Sequence, residues 1–276
     1  EEGAEYFVYE ADEYDRNFLH FTPDISMIAG IDWDHPDIYP TREEYNEAFR
    51  DFIGQSDHTV LWQLDAEKLE LTSDYAATIL PETDPNVSLA GLVNRRDAWL
   101  VVNALQPMLD ERLDKLVYLV NDFPGVARRF ERISPGLYSD YGHTPHKIRG
   151  ALQLAHEVAG DNVVVVYEGL HNTRQHFIKD DLKHLFDDVK HLYIVPSYLA
   201  REDESLELLT PEKLVALTDP VTQEHAEPAK LGPKLRDKIY EHLAAGDTVL
   251  CLTAGGGNSL DEWLRREFIL EPEQDK

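Results

Sequence analysis

Along most of the chain, short apolar runs alternate with stretches of helical period. In the first part, residues 6–9, 25–31, 59–63 and 76–80 are compact apolar runs of strand length. The spacing predicts a helix over 42–53 that sets Tyr45, Phe49 and Phe52 on one face, and Thr41 followed by Glu44 has the form of its capping box. A short helix is predicted over 65–71, and another over 97–109 that resumes after a break at 113–120. Phe123-Pro124-Gly125 then interrupts the pattern, which divides the chain into domains 1–122 and 123–276. Beyond that point strands are predicted near 137 and at 163–167, 192–195 and 248–252. The helices between and after them are 145–158, 174–188, 211–217, 234–243 and 260–268. Near-continuous apolar strands alternating with helices imply parallel sheets covered by helices, so the fold class is α/β.

Charge narrows the partners. The chain carries 53 acidic against 26 basic residues, a formal charge of -27, which repels nucleic acid and anionic lipid surfaces. Any site for nucleotide phosphates must therefore supply its own positive charge, which singles out Arg128, Arg129, Arg132 and Arg174. The single cysteine, Cys251, excludes an internal disulfide framework and a cysteine-based zinc cluster, and it fits a reducing, cytoplasmic setting. It lies in the apolar run 248–252, where an inert buried thiol is expected. No apolar run has the length of a membrane span, and the acidic start is unlike a signal peptide. A chain that opens directly on a strand-like run at 6–9 is expected to be a piece of a longer protein.

The densest chemistry lies at residues 139–146, Ser-Asp-Tyr-Gly-His-Thr-Pro-His. Thr144 is expected to supply an N-cap oxygen, and Pro145 suits the first helical position, where no amide donor is needed. Asp140, Tyr141 and His143 then fall at the carboxyl end of a strand, where open α/β sheets bind ligands.

This octet resembles the DYAHxP signature of the Mur ligases, the ATP-dependent enzymes that add amino acids to the peptidoglycan precursor. Other segments follow in the order of that family. Glu10-Ala11-Asp12-Glu13-Tyr14-Asp15 is similar to the EADExD motif of its L-alanine-adding branch, and Asp32-Trp33-Asp34-His35 follows at that branch's spacing. Gly91 to Asn94 resembles a G-x-H-N adenine-side motif, with Val93 in place of His. Phe123 to Phe130 resembles the F-x-G-x-x-R-R-F entry to the last domain, and Thr253 to Asn258 its terminal glycine turn. In Glu168 to Arg174 the family's H-R-x-S-R run keeps only its final Arg, as Arg174, with His171 where the other Arg would be. The family's Gly-Lys-Thr phosphate loop has no match in the chain.

The resemblance implies a partial central ATPase-type α/β domain followed by a Rossmann-like Mur ligase C-terminal domain. It implies an ATP-dependent ligase that uses Mg2+ to join L-alanine to UDP-N-acetylmuramate through an acyl phosphate. It assigns Glu10 and His35 to the metal site and to catalysis. It gives Asn94, Asp140 and Tyr141 to ATP, and His143, His171 and Arg174 to the incoming amino acid, with His143 also catalytic. The full-length protein is expected to carry the phosphate loop and a UDP-sugar domain, this piece being silent alone. Blander readings stand beside these. Glu10 can be a solvated acid, Asn94 a helix cap, Gly255 to Gly257 a tight strand-to-helix connection, and Asp12, Glu13 and Asp15 charges at a helix start. Two other functions compete: a ligase recycling murein tripeptide, whose acidic motif shares a tyrosine at Tyr14, and a non-catalytic binding module.

Overall fold

The computed structural model describes residues 3–35, 38–109, 111–200 and 202–269. They form two compact units, one of the described residues up to 89 together with those of 93–123, the other of 90–92 together with those from 124 onward.

The first unit is built on a three-stranded parallel sheet in the order β1 (Ile25–Ile28), β2 (His58–Trp62), β3 (Ala77–Leu80). Helix α1 (Arg42–Gly54) enters β2, α2 (Gln63–Lys68) leaves it, and α3 (Leu92–Leu109) and α4 (Leu113–Asn121) follow β3. The capping box at the start of α1 is present, with Thr41 and Glu44 bonded reciprocally. Strand β2 buries both faces. Leu61 packs with Phe49 and Phe52 of α1, while Val60 and Trp62 pack with Leu100 and Ala104 of α3. This accounts for an apolar run without alternation.

One expected strand is absent. Residues 6–9 pair with no strand among the described residues, and Phe7 and Val8 are 84% and 87% exposed. An extended run becomes a strand only when a neighbour satisfies its backbone groups, and β1 pairs with β2 alone among the described residues. A 3-10 segment over Tyr14–His20, with Asp15 and Arg16 in left-handed backbone, replaces the anticipated helix start.

The second unit holds a six-stranded sheet. Its elements are β4 (Glu131–Ser134), β5 (Leu137–Asp140), α5 (Pro145–Ala159), β6 (Val163–Leu170), α6 (Asn172–Ile178), β7 (His191–Tyr198), α7 (Pro211–Leu217), α8 (Pro220–Gln223), β8 (Ala226–Pro228), α9 (Pro233–Ala244), β9 (Thr248–Leu252) and α10 (Leu260–Phe268). The strand order is β4-β5-β9-β6-β7-β8, with only β4 antiparallel to its neighbour. Val163, Val165 and Tyr167 of β6 face α5 and α7, whereas Val164 and Val166 face α9 and α10. Cys251 is fully buried on the second of these faces, where burial pushes its thiol well above the ordinary range.

Three local expectations change. The helix predicted over 174–188 ends at Ile178, and a 3-10 turn covers Asp181–His184. There the Asp219 amide donates to the Lys183 carbonyl at 2.7 Å, so a tertiary bond takes an acceptor that a continued helix would use. Thr144 does sit at the N-cap of α5, yet its hydroxyl makes no capping bond, and its carbonyl accepts from Ile148 N at 2.9 Å. The edge strands β4 and β8 lack apolar runs, and β8 ends in a proline that an edge position tolerates. No helix among the described residues is long and apolar enough to cross a membrane.

Candidate functional site

Strand β9 lies between β5 and β6, and the chain leaves these neighbours toward opposite layers. After β5 and β6 it passes into the layer of α5 and α7; after β9 it passes into α10 on the other face. Divergence of this kind opens a crevice at the carboxyl ends of the strands. Asp140, Glu168 and Thr253 all sit on this rim.

Asp140 turns inward. Its Oδ2 accepts from Phe130 N at 2.8 Å and its Oδ1 from Gly142 N at 2.7 Å, and burial raises its carboxyl despite those two amides. Tyr141 is half-buried, with the Arg128 guanidinium 4.6 Å and that of Arg129 5.3 Å from its ring centre. His143 is buried, and its Nδ1 donates to the Tyr141 carbonyl at 2.8 Å, which sets the neutral ring's proton on Nδ1. The octet thus brings Asp140, Tyr141 and His143 together, with Asp140 bracing the loop.

Arg128 ties the far side of the rim. Its Nη2 donates to the carbonyls of Gly255 at 3.0 Å and Thr253 at 3.3 Å, holding the glycine turn after β9. A Cβ on Gly255 would stand 2.6 Å from Ser259 Cβ and 2.7 Å from the Tyr198 ring, so close packing alone demands glycine there.

Glu168 is the residue that sequence reasoning passed over. It is 3% exposed, its Oε2 accepts from Thr253 Oγ1 at 2.6 Å, and its Oε1 accepts from Leu260 N at 2.9 Å. Burial raises its carboxyl against the pull of those bonds. The available signal was a lone acid inside the apolar strand Val-Val-Val-Val-Tyr-Glu. Glu168 lines a cavity of about 480 Å3 with Ser197, Tyr198, Lys230 and Asn258 among its other walls, which joins one acid and one base to an aromatic ring.

His171 stands at the N-cap of α6 and Arg174 in its first turn. His171 has left-handed backbone (φ 55°), its amide donates to Tyr198 O at 2.8 Å, and its Nδ1 is 3.6 Å from Glu202 Oε1. Glu202 itself is a firm anion. Burial opposes its charge, but amide bonds led by Thr173 outweigh burial and hold its carboxyl below the ordinary range.

In the first unit His35 also has left-handed backbone (φ 55°), and its ring meets that of Tyr14 edge-on at 5.0 Å. Its Nε2 lies 3.9 Å from Glu13 Oε1 and 4.0 Å from Asp34 Oδ2. Among the described residues no other carboxylate comes within 4.0 Å of that ring, so Glu10, exposed on its extended segment, is not brought against His35. Glu13 is fixed by Tyr39, whose hydroxyl donates to its carbonyl at 2.5 Å. Left-handed backbone at a non-glycine residue costs on the order of 1–3 kcal/mol and persists only where its surroundings enforce it. Asn94 is exposed in the first turn of α3, which begins three residues earlier than a capping Asn94 requires.

The chain matches no protein-family profile. It is 26% identical over 237 residues to a UDP-N-acetylmuramate–L-alanine ligase of Lactobacillus johnsonii, covering 74% of this chain and 54% of the relative. It is 26% identical over 323 residues to the Rickettsia massiliae protein of the same description, covering 97% of this chain and 65% of the relative. Among solved structures, a UDP-N-acetylmuramate-alanine ligase from Thermotoga maritima superimposes with a TM-score of 0.64 at 23% identity, over 94% of this chain and 62% of that one. The chain therefore spans about half to two thirds of the length of the proteins it matches.

Proposed function

We propose, from the premise that this chain is similar in sequence to Mur ligases and has their α/β fold, that the protein containing it joins L-alanine to UDP-N-acetylmuramate at the expense of ATP. Supporting the reading is a conjunction: sequence similarity running through both units, and a crevice at the carboxyl ends of β5, β9 and β6. In such a reaction the γ-phosphoryl group passes to the lactyl carboxylate, and the amine then displaces phosphate from the acyl phosphate. Positioning and charge neutralisation carry both steps.

Asp140 holds the loop that carries Tyr141 and His143, and Tyr141, backed by Arg128 and Arg129, offers a face to the nucleotide. Asn94 is the adenine-side group. Arg174 grips the carboxylate of the amino acid as a two-pronged donor, with His171 beside it and His143 near the amine. Mg2+, when bound, neutralises charge on the phosphate oxygens. The carboxylates beside His35, those of Glu13 and Asp34, suit it, since Mg2+ is a hard cation that takes one or two oxygen groups from the protein and keeps its waters. Resemblance gives the partnering carboxylate as Glu10, whereas the 3.9 Å approach to His35 favours Glu13.

The test is phosphate release by the complete protein with ATP, Mg2+ and UDP-N-acetylmuramate. L-alanine is expected to sustain turnover that tripeptide does not, and His35→Ala to reduce it at least ~100-fold. Comparing Glu10→Gln with Glu13→Gln identifies the second ligand by its raised Mg2+ requirement. Equal turnover with tripeptide would transfer the protein to peptide recycling, and no turnover with any acceptor would leave it a binding module.

A further inference from the structure

Away from the rim, the second unit gathers a different set of donors. His184 ends the 3-10 turn, Asp187 lies three residues on, and Asp219 caps the short helix α8. His184 Nδ1 is 2.9 Å from Asp187 Oδ2 and 3.7 Å from Asp219 Oδ2, and one donor atom from each residue lies within 4.8 Å of the other two. Two ligands held at about 2.0–2.2 Å from one cation, at tetrahedral or octahedral angles, stand roughly 3.0–3.6 Å apart. The two separations from His184 fall close to that spacing.

Both carboxylates are also fixed from behind. Asp187 Oδ1 accepts from the buried Thr222 hydroxyl at 2.6 Å, and Asp219 Oδ1 accepts from Val221 N at 2.9 Å. These bonds occupy the outer oxygens, so it is the Oδ2 atoms that face the imidazole. The bond from Asp219 N to Lys183 O joins the two backbone segments that supply the donors. A further nitrogen belongs to the same neighbourhood. His225 Nε2 is buried without a hydrogen-bond partner among the described residues, while its backbone N donates to Thr222 O at 3.1 Å.

We infer that His184, Asp187 and Asp219 form a binding site for a divalent first-row transition cation, of which Zn2+ is the representative. One imidazole with two carboxylates is a borderline donor set that favours such ions over Mg2+ or Ca2+, whose sites are built from oxygen. Two carboxylates offset the charge of the cation, and the exposed side of His184 leaves room for water ligands. The bound ion clasps the 3-10 turn to the start of α8, the place where the expected long helix was broken. Outer partners such as Thr222 act by orienting the ligands.

Isothermal titration with ZnCl2 alone, on the chelator-treated full chain, tests the site. One saturable equivalent is expected, weakened at least ~10-fold by His184→Ala and by Asp219→Asn and left in place by excess Mg2+. His184 is 62% exposed, so its replacement leaves the core untouched, and circular dichroism verifies folding. Thr222→Val is expected to weaken binding by ~10-fold through loss of orientation alone. Absence of saturable Zn2+ uptake, or uptake unchanged in both ligand variants, would reduce the cluster to an ion pair and overturn the assignment.

Discussion

Thr253 Oγ1 donates to Glu168 Oε2 at 2.6 Å, which joins the carboxyl ends of β9 and β6 at the edge of the cavity. Burial raises the Glu168 carboxyl above its unfolded value, so folding favours its protonated form. Its contribution to stability is therefore greatest below the ordinary glutamate range and is lost as pH rises through the raised value. Glu168→Gln removes that loss. Relative to wild type, the variant should gain stability as pH climbs from 4 to 8 in urea titrations, and a pH-independent difference would refute the assignment.

Asp140 satisfies two amides, Phe130 N and Gly142 N, with one carboxylate that is only 8% exposed. Asp140→Ala strands both donors and should cost about 2–4 kcal/mol in denaturant unfolding. Asp140→Asn keeps one acceptor and should recover about half of that. If alanine and asparagine prove equally mild, the bracing role of Asp140 is wrong.

Arg265 bridges Glu131 and Asp261, donating to Glu131 Oε2 at 2.7 Å and to Asp261 Oδ2 at 3.0 Å, while Ser139 donates to Asp261 Oδ1 at 2.7 Å. Burial works against the charge of Asp261, but its bonds to Arg265 and Ser139 prevail and hold the carboxyl below the ordinary range. That stability is present above the unfolded aspartate value and disappears as pH falls through the lowered one. Arg265→Met should cost about 2 kcal/mol at neutral pH, short of a fully buried pair because the arginine is a third exposed. The deficit should shrink in acid, and melting curves at pH 3 and 7 measure it.

Gly91 has a φ of 85°, and a Cβ there would stand 2.7 Å from Leu154 Cδ1 of α5. Gly91→Ala adds backbone strain to a steric clash and should destabilise the protein by about 2 kcal/mol. Shortening the neighbour in Gly91→Ala/Leu154→Ala should relieve the clash but not the strain. Additive losses in that double variant would show that the side chains do not meet.

Sequence alone determined the alternation of strands and helices, the helix-covered parallel sheets and the strand-to-helix loop at 139–146. These follow from the period of apolar positions, from Thr41 and Glu44 at a helix start and from Pro145, all of which act within a few residues. The strand anticipated at 6–9 failed because pairing is a property of two segments, and the helix over 174–188 gives way to a 3-10 turn whose Lys183 carbonyl accepts from Asp219, far along the chain. The site divides in the same way. Sequence named His35 and His143 as candidates, but which carboxylate approaches His35, and that Asp140 turns inward, were decided by tertiary packing. Glu168 and Thr253, 85 residues apart, became one feature only when β9 inserted beside β6. Local order is encoded by neighbours in sequence, whereas a site is assembled by side chains whose partners the fold alone brings within hydrogen-bonding distance.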